Sequence, residues 1–487
     1  MLEDLFYPQS IAVVGASRSK DKIGNILFRN ILSTFSGKVY PVNNRAEAVE
    51  GVKAYSKVSE IPDKVSLAVV SVPKEFVIDV MEDIGKAGTR AAIIITSGFR
   101  ETGEEGAKLE EEVKSVARKH GIRFLGPNTM GIVTPNFNAT FTYVDVKPGN
   151  LALVAQSGGM GAYMLNWAQA TKTGLSYFIG LGNQADITEM DVFQFLADDP
   201  ETRAIFTYIE GVSDGERFLS LMPGITRKKP VVFLKGGASS AGAQAVKTHT
   251  GSLAGSYELF RAVVETVGGI FVENLTDMLN LAKLISSNEP IKDSLLVITN
   301  SGGHAVLTVD EIDRQGLSLV KLTPKITQAL SIVLPSFVSP KNPLDLGGDA
   351  TVERYITALK IVQGLDCTKL VMVQSLATVS CLEVAKARQN FKGRGVVGVM
   401  MGMAEEAATR ILDSSNIPAF TFPEDAVRAI RYYVKRREPL QKIRIAAPIE
   451  DAQKIIEGKS SISDYEAFRV LEIYGIRVPP WSVVSTL

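Results

Sequence analysis

Short apolar, β-branched runs alternate along the chain with stretches whose apolar positions recur every three to four residues. The first pattern predicts buried parallel strands and the second predicts helices packed upon them. Ile11–Val14 is such a run, broken by Gly15, after which Ile23, Ile26, Leu27 and Ile31 fall at helical spacing. Val39–Val42, Leu67–Val72, Ala91–Thr96 and Ile122–Leu125 continue the strands, with helices expected around Glu75–Lys86 and Glu104–Lys119. The pattern then restarts twice. Leu151–Ala155, Ser176–Ile179, Ala204–Tyr208 and Val231–Lys235 read as strands of a second unit, and Leu295–Thr299, Leu317–Lys321, Leu370–Val373 and Val396–Met400 as strands of a third. The expected fold is α/β, with three consecutive doubly wound parallel-sheet domains at 1–145, 146–288 and 289–445, then a tail at 446–487. No low-complexity linker separates the units, so they are expected to pack closely.

One echo inside the chain ties the second and third units together. Residues 153–159 read Leu-Val-Ala-Gln-Ser-Gly-Gly and residues 297–303 read Val-Ile-Thr-Asn-Ser-Gly-Gly, each following a strand and opening a helix. Either copy alone could be a tight strand-to-helix connection. A Ser-Gly-Gly turn at a helix start also exposes backbone N–H groups and the positive end of the helix dipole, which suits an anion. Two such ends converging would hold a phosphate without a large cationic side chain, each contributing roughly 0.3–1 kcal/mol when exposed. Ser157, Gly158 and Gly159, with Ser301, Gly302 and Gly303, are therefore candidate phosphate-binding residues.

Composition changes this picture little. Of 487 residues, 45% are hydrophobic and 22% charged, and Lys+Arg and Asp+Glu are equal at 53 each. No basic field favours nucleic acid or a membrane surface. The acidic start Met1-Leu2-Glu3-Asp4 lacks a signal-peptide layout, and no apolar run is long enough for a membrane span. A cytoplasmic protein is expected. The two cysteines, Cys367 and Cys381, show no metal-ligand spacing and read as core residues in a reducing compartment. No metal site is expected in the chain.

The chain has three histidines, His120, His249 and His304. His120 ends a charged helix before Gly121, which suits a C-terminal dipole partner. His249 lies in Val246-Lys247-Thr248-His249-Thr250-Gly251-Ser252, a polar loop between a strand and a helix. It is either a surface histidine or a phosphoryl acceptor, since an imidazole nitrogen forms a P–N bond labile enough to pass the group on. The second role needs a carboxylate to fix the tautomer. Glu210, past the strand Ala204–Tyr208, is placed for it, because sites form at the carboxyl ends of parallel strands; otherwise Glu210 is a solvated loop residue. His304 either helps neutralise phosphate or only fills the first helical turn, where a cation is disfavoured.

After Gly15, a dinucleotide fingerprint would need glycines where Ser17 and Lys20 stand, and Val39-Tyr40-Pro41-Val42-Asn43-Asn44 offers amides instead of an acidic residue. NAD is disfavoured there. A ligand with phosphates still fits Gly15–Gly24, where Ser17, Arg18, Lys20 and Lys22 supply donors and charge.

Several segments resemble succinyl-CoA synthetase and the ADP-forming acetyl-CoA synthetases. Val14-Gly15-Ala16-Ser17, Tyr40-Pro41-Val42-Asn43, Ser71-Val72-Pro73 and Leu125-Gly126-Pro127-Asn128-Thr129-Met130-Gly131 resemble that family's CoA-binding, Rossmann-like domain. Lys247-Thr248-His249-Thr250-Gly251 resembles the phosphohistidine loop of its first ligase domain, and Asn300–Gly303 with Asn342–Thr351 resembles the second ligase domain, both flavodoxin-like. The resemblance spans about 5–445. It implies coenzyme A contacts at Gly15, Ser17, Lys22, Val42, Asn43, Val72 and Pro73, and substrate contacts at Asn128 and Gly131. It also implies a phosphorylated His249 held between the helix starts at Ser157–Gly159 and Ser301–Gly303, and supported by Glu210.

The implied reaction converts acyl-CoA, phosphate and ADP into a carboxylic acid, CoA and ATP through an acyl phosphate and phosphohistidine. The family also uses an ATP-grasp module that binds ADP or ATP with Mg2+, and nothing in 1–445 resembles one. Residues 463–484 resemble only its opening, so a partner subunit or a fused module is expected to supply it, within an oligomer. His304 departs from the small or apolar residue expected at its position. Two other readings are a non-catalytic CoA sensor or scaffold, against which His249, Glu210 and the paired turns argue, and a NAD-linked dehydrogenase, against which the missing glycines argue.

Overall fold

The computed structural model describes residues 2–482 apart from 213, 240, 243, 245–255, 392, 437, 440–448 and 460. The chain divides into a unit of 1–440 and a second of 441–487. The larger unit is built on three sheets whose strands carry the predicted apolar runs.

The first sheet is parallel, in the order Lys38–Val42, Ser10–Val14, Leu67–Val70, Ala91–Ile94 and Arg123–Leu125. Every residue of Ser10–Val14, Leu67–Val70 and Ala91–Ile94 is buried, as expected when helices cover both faces of a parallel sheet. Chain order reverses between Ser10–Val14 and Leu67–Val70. A ligand crevice forms where neighbouring connections part in this way.

The second sheet runs Ile270–Val272, Val231–Lys235, Ala204–Ile209, Pro148–Ala155, Leu175–Gly180, and these five strands are parallel. Its switch point lies between Pro148–Ala155 and Ala204–Ile209. Two short strands, Gly131–Val133 and Asn138–Thr140, extend it antiparallel, with Ile132 opposite Ile179 and Val133 opposite Phe178. Residues placed by sequence at the end of the first unit thus complete the second sheet. Three-residue strands carry too few apolar positions to announce themselves.

The third sheet is again parallel, ordered Ser318–Leu319, Ser294–Thr299, Thr368–Gln374, Val396–Met401 and Ala419–Phe420, with Leu344–Asp345 also paired to Ser294–Thr299. The strand expected over 317–321 is only two residues long. The helix Leu275–Ser286 is buried along Met278, Leu281, Ala282 and Ile285, and Arg428 of Pro423–Val434 pairs with its Asp277 at 3.0 Å. The smaller unit contains helices Glu450–Ile456 and Asp464–Ile473. The latter starts in a capping box, in which Ser463 and Glu466 satisfy each other's backbone N–H groups.

Among the described residues, no helix is long and apolar enough to cross a membrane.

Candidate active site

Gly15 ends its strand with φ +92°, and its N–H donates to the Val42 carbonyl at 3.0 Å. A methyl group on Gly24, at the start of the helix Ile23–Thr34, would lie 2.0 Å from the Gly15 carbonyl oxygen. Gly24 therefore lets this helix abut the turn, the close-packing role a fingerprint glycine serves elsewhere. Sequence placed Gly24 at the end of a phosphate-compatible stretch, and its place beyond the fingerprint spacing hid this packing role. Asn43 ties the two loops by donating to the Ala16 carbonyl at 2.6 Å and accepting from the N–H groups of Arg45 and Ala46.

A cavity of about 1170 Å³ extends from this crevice. Its lining begins with Gly15, Ser17, Lys22, Asn43 and Arg45, continues through Val72, Pro73 and Thr96, and passes Asn128 and Met130. It ends on the second sheet's switch point, at Gln156, Ser157–Gly159 and Glu210–Val212. One space thus joins the first sheet's crevice to a Ser-Gly-Gly helix start and a strand-end glutamate.

Of the coenzyme A and substrate candidates, two stand outside the lining. Val42 is buried in the first sheet's core and serves the turn through its carbonyl. Gly131 (φ +89°) lies against the carbonyl of Ala139 in the added hairpin, where any side chain would overlap that oxygen.

The helix Gly158–Thr171 is capped by Ser157, whose hydroxyl accepts from Met160 N–H at 3.4 Å. A methyl group on Gly159 would meet no atom of the other described residues within 4 Å, so among them its surface is open to a ligand. The Gln156 side chain accepts from the N–H groups of Glu210 and Gly211 and donates to the Gly211 carbonyl at 2.8 Å, fixing the two ends of the switch point to each other.

Glu210 is only 6% exposed. Its Oε1 accepts from the Tyr208 hydroxyl at 3.4 Å, while its Oε2 is buried with no hydrogen-bond partner among the described residues. Such an orphan acceptor is costly unless a ligand or moving group supplies a donor. Lys235 lies beside it, donating to the Glu210 carbonyl at 2.9 Å. Burial lowers the Lys235 ammonium's pKa, and the negative charge of Glu210 works against that. Burial, then the neighbouring Glu210, pushes the Tyr208 hydroxyl up to about 12.

A further polar group at the cavity was not found from sequence. Asn183 donates to Glu101 at 2.6 Å and Glu110 at 2.8 Å, and its carbonyl accepts from Arg100. Burial works to raise Glu101, but hydrogen bonds from Asn183, Gly98 and Phe99 outweigh it and hold the carboxyl low. Burial raises Glu110. Glu101 lies in the turn Arg100–Thr102, Glu110 in the helix Glu104–His120 and Asn183 in a loop of the second unit, so no local spacing could link them.

Ser301–Gly303 is not among the residues lining the cavity. It opens the helix Gly302–Arg314, but the Ser301 hydroxyl pairs with His304 Nδ1 at 2.8 Å and makes no cap bond. Asp345 faces this start: a methyl group on Gly302 would lie 3.1 Å from its Oδ2. His120 ends the helix Glu104–His120 and joins Lys119 on Glu82, at 2.8 and 2.7 Å; the lysine and then the histidine hold that carboxyl at about 2. His249 lies outside the described residues. Among them, no group of three or more His, Cys, Asp or Glu side chains converges to hold a metal ion.

Residues 9–135 match the CoA binding domain family, 148–285 the succinyl-CoA ligase like flavodoxin domain, and 295–432 the ligase-CoA domain. The alpha subunit of ADP-forming acetate–CoA ligase II from Pyrococcus furiosus is 39% identical over 440 residues, covering 88% of this chain and 96% of that protein. ADP-forming acetate–CoA ligase I from Archaeoglobus fulgidus is 35% identical over 499 residues, covering 100% of this chain and 72% of that protein. Among solved structures, the dinucleotide forming acetyl-coenzyme A synthetase 1 of Ca. Korarchaeum cryptofilum, in complex with phosphate and ADP, has a TM-score of 0.84 at 36% identity. That match covers 89% of this chain and 96% of the other. With three such domains in this order and these relatives along nearly its whole length, the chain belongs to the ADP-forming acyl-CoA synthetases of the succinyl-CoA synthetase superfamily, and is an acid–thiol ligase.

Proposed function

We propose that this chain carries the acyl-transfer and first phosphoryl-transfer steps of an NDP-forming acyl-CoA synthetase, with His249 as the phosphoryl carrier. One observation carries the reading: the crevice with Lys22 and Arg45 opens into the same cavity as Ser157–Gly159 and the unpartnered Oε2 of Glu210. The phosphate and ADP named with the Korarchaeum relative support it.

In this reading coenzyme A lies along the first-sheet wall, and phosphate sits on the N–H groups of Ser157–Gly159. A phosphate oxygen attacks the thioester carbonyl. The C–O bond forms, the C–S bond breaks, and the sulfur leaves with the electron pair and takes up the proton that phosphate carried. Holding both reactants in one cavity replaces a chance encounter by a fixed approach. A ring nitrogen of His249 then attacks phosphorus, the N–P bond forms, and the carboxylate leaves with the P–O electrons. The other ring nitrogen donates its proton in a hydrogen bond to Glu210 Oε2, which stabilises the charged product.

Finally a terminal oxygen of ADP takes the phosphoryl group as the N–P bond breaks, giving ATP. An ATP-grasp module, on a partner subunit or fused to this chain, would bind the nucleotide with Mg2+, because among the described residues no three His, Cys, Asp or Glu side chains converge to hold that ion. The Ser301–Gly303 turn, outside the cavity, holds the transferred phosphoryl group at this later stage. The enzyme works in the cytoplasm within an oligomer.

Incubation with radiolabelled phosphate and a set of acyl-CoAs tests this. Acid-labile, base-stable label on the wild type and none on His249→Ala is the expected result. Coenzyme A binding without label, even with a nucleotide-binding partner present, would favour a CoA sensor instead.

A further inference from the structure

Met130 stands where the two halves of the cavity meet, and its surroundings are shaped around it. Gly180 ends a strand of the second sheet, and a methyl group there would lie 3.1 Å from both Met130 Cβ and its N. Gly158 opens the helix beyond, and a methyl group there would lie 3.3 Å from Met130 Cγ and 3.7 Å from its Sδ. Two glycines therefore make room for this one side chain and bring its thioether over the helix start. Its backbone is pinned on either side. Thr129 donates to the Gly180 carbonyl and accepts from Gly131 N–H at 3.0 Å, and Gly131 is fixed against Ala139. Met130 is 6% exposed, and that remaining surface faces the cavity it lines, near Phe141 on the same lining.

We infer that Met130 sets the upper length of the acyl group. This rests on the functional reading above. Phosphate on Ser157–Gly159 must come within about 3–3.5 Å of the thioester carbon to attack it. The acyl carbon is then held beside Gly158, and whatever extends from it meets the Met130 thioether lying over that glycine. On this reading short acyl groups are accepted, and longer or branched ones run into the thioether. The atoms exchanged in the reaction are untouched by Met130, so it acts through specificity alone. A flexible thioether suits such a wall, since it fills an irregular gap without imposing a polar partner.

The test is phosphate labelling of the full chain with acetyl-, propionyl-, butyryl-, hexanoyl- and phenylacetyl-CoA, for wild type, Met130→Ala, Met130→Leu and Met130→Phe. Thermal unfolding is recorded for each variant. The wild type is expected to favour acetyl and propionyl over hexanoyl by roughly 10²-fold. Met130→Ala narrows that ratio by about tenfold or more, and Met130→Phe restricts labelling to acetyl, in line with what one or a few methylenes are worth in an apolar pocket. Met130→Leu keeps the wild-type profile. Should Met130→Ala fail to fold, the narrowing by Met130→Phe decides the matter. A purely structural role would lower labelling with every acyl-CoA in proportion. A chain-length profile unchanged in the folded variants, with the wild type labelled, overturns this inference alone. No label on the wild type with any acyl-CoA overturns the functional reading and this inference with it.

Discussion

The two Ser-Gly-Gly turns share a sequence, a place after a strand and a place before a helix, yet their surroundings differ. Among the described residues, at Ser157 the hydroxyl caps its helix, Gly159 faces open space, and the nearby strand-end carboxylate, Glu210, has an oxygen without a partner. At Ser301 the hydroxyl is taken by His304, and the strand-end carboxylate Asp345 lies over the helix start while accepting from Gly347 N–H at 3.0 Å. A helix N-terminus attracts whichever anion is nearest. The first turn is ready for an external anion. The second already has a side chain of its own against it.

The largest effect that sharpens this contrast is expected from Glu210→Gln, which keeps the shape but removes the charge that would support an imidazolium. Labelling of the chain by phosphate and acyl-CoA should fall by roughly 10²–10⁴-fold, whereas Asp345→Asn should leave that first labelling step within a few-fold. Comparable losses would mean that both carboxylates serve one step and the contrast is empty.

Gly159→Ala and Gly303→Ala form a matched pair, because among the described residues neither methyl group meets another side chain or loop within 4 Å. Both should hold or slightly raise the melting temperature, since alanine favours helix over glycine by up to about 1 kcal/mol. If phosphate sits on the first turn, Gly159→Ala should lower labelling by about 10²-fold, because the methyl group takes the space in which phosphate meets the N–H donors, an effect the size of losing one such contact. Gly303→Ala should instead impair the ADP-dependent discharge of labelled protein. Single-turnover label and chase, read beside calorimetry, distinguishes the two.

A smaller effect concerns Asp345. In a Gly159→Ala background, where the first turn is silenced, Asp345→Asn should strengthen phosphate binding at the second turn by about fivefold, equivalent to about 1 kcal/mol. Isothermal titration checks this, and unchanged affinity would mean that Asp345 does not compete with an external anion. The smallest effect is on stability. Ser157→Ala removes a long cap bond and should cost about 0.5–1 kcal/mol in chemical denaturation, whereas Ser301→Ala removes no cap bond and should cost less.

The strand series was readable because buried parallel strands are continuous apolar runs, and Ser10–Val14, Val231–Lys235 and Val396–Met401 lie within a residue of where periodicity placed them. The hairpin at 131–140 was hidden because three-residue strands have no period. It stands out only once Ile132 and Val133 pair with the edge of another sheet. Among site residues, glycine turns and a strand-end glutamate carry local signatures. Asn183 carries none, since its meaning lies in meeting Glu101 and Glu110, carried by a turn and a helix beside another sheet.

Local chemistry along the chain was enough to establish three parallel-sheet units, the echoed turns and the residue types able to hold phosphate, because backbone period and turn residues act over a few neighbours. Which turn opens onto the shared cavity, which carboxylate keeps an unpartnered oxygen among the described residues, and which side chain lies over Gly158 were decided by contacts between residues 28 to 54 positions apart. Such contacts exist only once the sheets are packed, because excluded volume and burial act on whatever the fold brings together rather than on what the sequence places side by side.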